Sequence, residues 1–429
     1  MRFLITTGGS HGDVHPFIAV GRALAAREHH VRFCVHPHFR RDVEAAGLEF
    51  APVGESLDLV AEMRNPDLMH PTRGGKLVMD MIVRTAPEGI ERVRSEIASY
   101  RPDALVAHHI ALGAVWAAEE ARVPCAVGVL APMMWLGRRD PIAPFQRFPG
   151  ALGRLAGKAL GLVAWTAIGA MYDRAFARVR DRLGFAPEKR PFTRSFHAGD
   201  VNLGLFSPHF RAPLPGDPPN GVVTGFPFYD GIAKHPALDA DIERFLGDGE
   251  PPIVFTLGTA AVHAAGNFFD VAAEACRRLG RRGVLLVGPD GNRPRAAPPY
   301  VTACEYAPFS LLLPRGAATV HHGGIGSTSQ ALRAGRPMVV VAHAHDQFNN
   351  ALHAMALGCA ALVPRHRLTV KRLVRALAAM LEDPEPAVAA RRIGGKLAAE
   401  DGASRAADEI ERIGALSASR AGTAIPARR

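Results

Sequence analysis

The chain has 429 residues, 48% of them hydrophobic and 21% charged, which excludes a disordered polymer and predicts two domains, since single cores seldom grow past ~250–300 residues. Its five cysteines (Cys34, Cys125, Cys276, Cys304 and Cys359) form no C-x-x-C pair, which excludes a disulfide framework and fits a reducing cytoplasm. A net charge of +10 permits peripheral contact with an anionic membrane, but five tyrosines, three tryptophans and no recognition motif speak against nucleic acid as a partner.

The chain opens on a short apolar run, Arg2 to Thr7, too short for a signal peptide. It ends in Gly8-Gly9-Ser10-His11-Gly12-Asp13, and a helical pattern follows over residues 16–27, with proline in its first turn. A strand over 31–35 and a helix over 39–46 complete a βαβ unit, and strands at 104–108 and 125–130 flank a helix at 111–121. Two long insertions, 56–87 and 132–192, carry Met63, Met69, Met79, Met81, Met133, Met134, Trp135, Phe145, Phe148 and Trp165. Such soft side chains cover a sheet or line a pocket for an apolar ligand. The longest uncharged hydrophobic stretch, 159–172, is shorter than the ~18 residues of a membrane span, so a soluble protein is expected.

A proline-rich stretch around 211–252 separates this half from a second series in the same grammar. Strands are predicted at 253–256, 284–287, 301–304, 318–321 and 338–342, with helices at 267–279 and 327–334. The expected layout is an α/β protein of two Rossmann-like, doubly wound domains facing each other across a cleft. Residues 1–212 form the first domain, 213–250 the linker and 251–400 the second domain; residues 401–429 form a helix end and a disordered tail. Ligands then bind at the carboxyl ends of both sheets.

Two loops of the second half carry the chemistry. His321-His322-Gly323-Gly324-Ile325-Gly326-Ser327-Thr328 reads as a strand end, a glycine-rich turn and a helix start, an arrangement that gathers N–H groups around an anion. His345-Asp346-Gln347-Phe348-Asn349-Asn350 places an acid, amides and a histidine on the next strand-end loop. Phosphate on one loop and sugar on the next implies a nucleotide-sugar. The pairs His36-x-His38, His108-His109 and His343-x-His345 lack a third ligand at zinc spacing, so neither metal nor cofactor is expected. No G-x-G-x-x-G follows a strand, which counts against a nicotinamide dehydrogenase.

In this order, the motifs resemble the two-domain inverting glycosyltransferases of the GT-B fold that act on small molecules with UDP- or TDP-sugars. The resemblance rests on Gly9 to Phe17, Thr224-Gly225-Phe226-Pro227, Phe255-Thr256-Leu257-Gly258-Thr259 and the two loops above. Within the family it is nearest to the rhamnosyltransferases that build rhamnolipids, with sterol and antibiotic glycosyltransferases close by. It implies Asp13 as the general base, with His11 or His15 as the alternative; Asp13 also suits a helix cap. For the donor it implies His322, Gly323, Gly324, Gly326, Ser327 and Thr328 at the diphosphate, with Gly258 and Thr259 beside it. Asp346, Gln347 and Asn350 fall to the sugar and Tyr306 to the base. Met133, Met134, Trp135 and His108 are the expected acceptor contacts. Val106-Ala107-His108-His109 offers no carboxylate where many relatives keep one to orient their base, so Asp13 is expected to act without a dyad.

The expected reaction transfers a sugar, first L-rhamnose from dTDP-rhamnose, to a hydroxyl of a lipophilic acceptor such as a hydroxy-fatty-acid ester. The alternative is glucose from UDP- or dTDP-glucose onto a sterol, carotenoid or polyketide. A nucleotide-sugar epimerase and a non-catalytic binding helper are the readings of other classes.

Overall fold

The computed structural model describes residues 1–135, 150–231, 237–289 and 291–422; Phe145 and Phe148 lie outside the described residues. The first half runs β1 (Arg2–Thr6), α1 (His11–Ala25), β2 (His30–Val35), α2 (Arg40–Ala45), β3 (Glu49–Pro52), α3 (Leu59–Arg64), α4 (Gly74–Tyr100), β4 (Ala104–His108), α5 (Leu112–Ala121) and β5 (Cys125–Val129). It continues through α6 (Gly150–Arg182), α7 (Pro191–Ser195), β6 (Val201–Gly204) and β7 (Gly221–Val223). These strands form a parallel sheet of order β3-β2-β1-β4-β5-β6-β7.

The second half runs α8 (Ala240–Gly247), β8 (Ile253–Thr256), α9 (Phe268–Leu279), β9 (Gly283–Leu286), β10 (Val301–Cys304), α10 (Phe309–Leu312), β11 (Ala318–His321), α11 (Ile325–Arg333), β12 (Met338–Val340), α12 (Gln347–Ala356), β13 (Ala360–Leu362), α13 (Val370–Leu381), α14 (Pro384–Ala398) and α15 (Gly402–Gly422). Its parallel sheet has the order β10-β9-β8-β11-β12-β13. In both sheets the order reverses beside the first strand, between β1 and β4 and between β8 and β11. That is where a doubly wound sheet opens a crevice. The central strands β1, β4, β5, β8 and β11 are buried almost end to end, as parallel strands covered on both faces must be. The two α/β domains are those expected from the alternation of apolar runs.

Local differences have physical causes. Helix α1 starts at His11 rather than at residue 16, with Ser10 as its N-cap and Asp13 in its first turn. Pro16 therefore sits inside the helix, where its missing N–H leaves the Gly12 carbonyl without its usual donor. The first sheet runs on through β7, so residues 221–223 belong with it rather than with a linker. Helix α8 packs Ile242 into the core of the second domain.

The end of the chain is the larger correction. Residues 402–422 are helical, where a helix end and a disordered tail were expected; residues 423–429 lie outside the described residues. Ala406, Ala407, Ile410 and Ile413 of α15 are buried among Phe3, Ile5 and Leu24 of the first domain. Their three- and four-residue spacing is that of an amphipathic helix. Arg27 and His29 anchor the same helix through Glu411, at 2.7 and 2.6 Å. Among the described residues, no helix is long and apolar enough to cross a membrane.

Candidate active site

Beyond β1 the chain turns through Thr7–Ser10 into α1, and the turn is held by Asp13. Its carboxylate accepts the Ser10 N–H at 2.8 Å and the Ser10 hydroxyl at 3.0 Å. Asp13 is thus part of the helix cap and at the same time borders the central cavity. Burial pushes its carboxyl up to about 6, with the charge of Asp346 adding to the rise and the Ser10 bonds opposing it. The other two base candidates turn away. His15 meets Asp42 at 3.1 Å, His11 lies edge-on to Phe39, and neither borders the cavity. On an α-helix, positions two apart point to opposite sides.

In the second domain, β11 lies between β8 and β12, with His321 paired to both Thr256 and Val340. This register aligns the loops that follow all three strands. His322 starts the turn into α11, with its ring against the backbone of Gly258 and Gly324. A Cβ on either glycine would come within 2.7 and 2.4 Å of that ring, so both positions exclude a side chain. Burial, with His321, His343 and His345 nearby, holds His322 well below the usual histidine range; it is a neutral ring with an unpartnered, buried Nδ1. Ser327 borders the cavity. Thr328 does not, because its hydroxyl donates to the Gly324 carbonyl at 3.0 Å inside the helix. Gly323 lies behind the turn at φ 92°.

The third loop brings Asp346 and Gln347 to the cavity. Burial pushes the Asp346 carboxyl up to about 6, against the bond from Asn350. Asn350 is a buttress rather than a lining residue, since its amide donates to the Gly323 carbonyl at 3.0 Å and to Asp346 at 2.6 Å. Gln347 accepts the N–H groups of His343 and Ala344 at 2.7 and 3.2 Å, while its NH2 donates to the Met69 sulfur at 3.6 Å and keeps its second N–H for a ligand. His345, in the left-handed region at φ 55°, reaches across to the Leu68 carbonyl at 2.8 Å and links this loop to the first domain.

Asp13, His322, Ser327, Asp346 and Gln347 open on one cavity of about 620 Å³. Gly258 and Thr259 form part of its wall beside His322, and Asp13 faces them from the other domain. The rest is apolar. Met63, Met69, Met79 and Met81 from the first insertion line it with Met133 and Met134. Three expected contacts fall elsewhere. Trp135 is only 1% exposed, packed edge-on against Phe206. His108 lies beneath the floor, bonded to the Thr7 hydroxyl at 3.0 Å, and its neighbour His109 takes the place at the wall. Along a strand successive side chains alternate faces, and the sequence left open which histidine points up. Tyr306 is 70% exposed beyond β10, away from the cavity wall.

Sequence reasoning missed His109 and Ser10, and the bond of His345 to the first domain. The signal for Ser10 is Ser-x-x-Asp, a serine and an acid at cap spacing. Nothing local marks the bond of His345, whose partner is 277 residues away. A cluster of metal-ligand type, His11, His15 and Asp42, lies outside the cavity.

Residues 3–128 match the glycosyltransferase family 28 N-terminal domain. Residues 284–413 match the C-terminal domain of the erythromycin biosynthesis protein CIII-like family. The chain is 34% identical over 424 residues to the O-mycaminosyltylonolide 6-deoxyallosyltransferase of Streptomyces fradiae, covering 96% of this chain and 97% of that one. It is 29% identical to a sterol 3-beta-glucosyltransferase of Arabidopsis thaliana over 428 residues, 96% of this chain and 68% of the plant protein. Its fold superposes on the crystal structure of a glycosyltransferase, VinC, in complex with DTDP, with a TM-score of 0.69 at 20% identity, covering 97% of this chain and all of that one.

Proposed function

The chain belongs to the nucleotide-sugar glycosyltransferases of the GT-B fold, and from that premise we propose that it is an inverting transferase with Asp13 as general base and a lipophilic small molecule as acceptor. The observation that carries this reading is the shared cavity: Asp13 enters it from one domain, His322, Ser327 and Asp346 from the other. Family membership sets aside the epimerase and the binding helper.

The donor diphosphate lies over the turn into α11, where the N–H groups of residues 324–327, the positive end of the helix, the Ser327 hydroxyl and a ring N–H of the neutral His322 meet it. Asp346 accepts from sugar hydroxyls and the Gln347 amide donates to them. The acceptor hydroxyl oxygen attacks the anomeric carbon from the face opposite the diphosphate. As the new C–O bond forms, the bond to the diphosphate oxygen breaks, and the configuration at that carbon inverts. The hydroxyl proton passes to Asp13, and the charge growing on the diphosphate is held by the same donors. Held this way the diphosphate needs no metal ion.

Among donors, dTDP-L-rhamnose is the first choice. The Streptomyces fradiae relative is named for a 6-deoxy sugar and VinC was crystallised with DTDP, which supports a dTDP-6-deoxyhexose. The methionine-lined wall and the net charge of +10 support a hydroxy-fatty-acid ester taken up beside an anionic membrane in the cytoplasm. The sterol glucosyltransferase relative favours a second reading, glucose from UDP- or dTDP-glucose onto a sterol or polyketide.

One experiment tests base and donor together. Thermal shifts with dTDP-rhamnose, dTDP-glucose and UDP-glucose are measured on the wild type and on Asp13→Asn, alongside turnover. Donor binding is expected to survive the substitution while turnover drops ~10²–10⁴-fold. Unchanged turnover removes Asp13 as base, and a shift with UDP-glucose but not dTDP-rhamnose replaces the first donor with the second.

A further inference from the structure

Two histidines in the first turns of α1 have no part in the transfer cleft. His11 and His15 stand four residues apart, which puts both rings on one helix face. Asp42 of α2 closes the same space. One ring nitrogen of each histidine and one carboxylate oxygen of Asp42 all lie within 4.8 Å of one another.

We propose that His11, His15 and Asp42 form a binding site for a divalent transition-metal ion of the zinc class, separate from the cavity that holds Asp13. The donor set is the first reason. Two imidazoles and a carboxylate with an open fourth position are a composition zinc accepts, and imidazole nitrogen favours late first-row metals over magnesium or calcium.

Geometry is the second reason. The 3.1 Å between His15 Nε2 and Asp42 Oδ1 is close to the edge of a tetrahedron whose corners lie ~2.0–2.1 Å from a central ion. A plain His15–Asp42 ion pair accounts for that distance equally well, but it leaves His11 unexplained. His11 keeps Nδ1 buried with no hydrogen-bond partner, a state that costs free energy unless some group engages the ring. Aromatic rings fix the cluster: Phe39 lies 5.0 Å from His11 and Tyr229 5.0 Å from His15.

One term opposes the site. The N-terminal end of α1 is the positive end of its dipole and disfavours a cation. Asp42 opposite supplies the countercharge. An ion here ties α1 to α2 and stiffens the turn that presents Asp13. It also borders Tyr229, on the crossover between the two sheets.

The test uses the 429-residue chain, stripped with EDTA and desalted, then titrated with CoCl₂ and back-titrated with ZnCl₂. One equivalent of Co²⁺ is expected to give the intense visible d–d absorption of a four- or five-coordinate site, and Zn²⁺ to abolish it. His15→Gln and Asp42→Asn are each expected to weaken binding about tenfold or more, while the control His30→Gln, on the exposed start of β2, leaves it unchanged. Zinc is expected to raise the melting temperature of the wild type and not that of Asp42→Asn, whose metal-free melt reports whether it folds. A wild type without stoichiometric cobalt binding, or with only the weak absorption of an octahedral ion, overturns the proposal, and so does binding that persists in both variants.

Discussion

Asp13 and Asp346 reach the same cavity from different domains, each a buried carboxyl pushed up to about 6. Holding a carboxylate there costs stability. For Asp346, a native value of about 6 against the ordinary 3.8 of an aspartate means that the folded chain binds a proton more tightly than the unfolded one. Its contribution is most favourable below the unfolded value and is lost as pH rises through about 6. Asp346→Asn is therefore expected to stabilise the fold at pH 7 by on the order of 1–3 kcal/mol, to lose that advantage near pH 4, and to weaken sugar binding throughout. Denaturant midpoints at the two pH values check the sign. At this scale the sequence marked, through Gly-Asp-Val, His-Gly-Gly and Asp-Gln, residues that the fold brings to one cavity. It could not show that Thr328, Asn350 and half of Gln347 are consumed by bonds inside the protein, because such satisfaction depends on neighbours brought up by the fold.

The central elements were legible as apolar runs separated by amphipathic helices, because parallel strands buried on both faces must be continuously apolar. The strands that escaped, β3, β6, β7 and β13, have three or four residues each, too few to show a period. The turn between β11 and α11 rests on the contact of His322 with Gly324. Gly324→Ala places a methyl 2.4 Å from the ring nitrogen, and the ring must move. Loss of that donor is expected to lower kcat ~10²–10³-fold, with the overall fold unchanged by circular dichroism. Helix α15 makes the opposite prediction, a stability effect remote from the chemistry. Ile410 is fully buried in the first domain, so Ile410→Ala is expected to cost about 2–5 kcal/mol, read as a lower urea midpoint.

For the molecule as a whole, the two domains share more than a linker. The chain crosses back to seat α15 on α1, and His345 bonds across the cleft to Leu68, so the methionine-lined wall and the loops of the second domain are held in one arrangement. A cavity walled by methionines from the insertion predicts a dependence on acceptor length. Each methylene removed from an alkyl acceptor is expected to raise KM about fourfold, from ~0.8 kcal/mol per buried CH₂, until the chain no longer reaches the methionines; a series of hydroxy-acyl acceptors measures the slope. Sequence alone determined the two α/β domains, the class of donor chemistry and the acid at the first turn, because strand periodicity, glycine-rich turns and helix caps are local in the chain. Tertiary structure decided which of His108 and His109 faces the cavity, that His11 and His15 gather with Asp42 instead of serving the cleft, and where the last helix docks. Each of these turns on a contact between residues distant in sequence, and no local pattern records it.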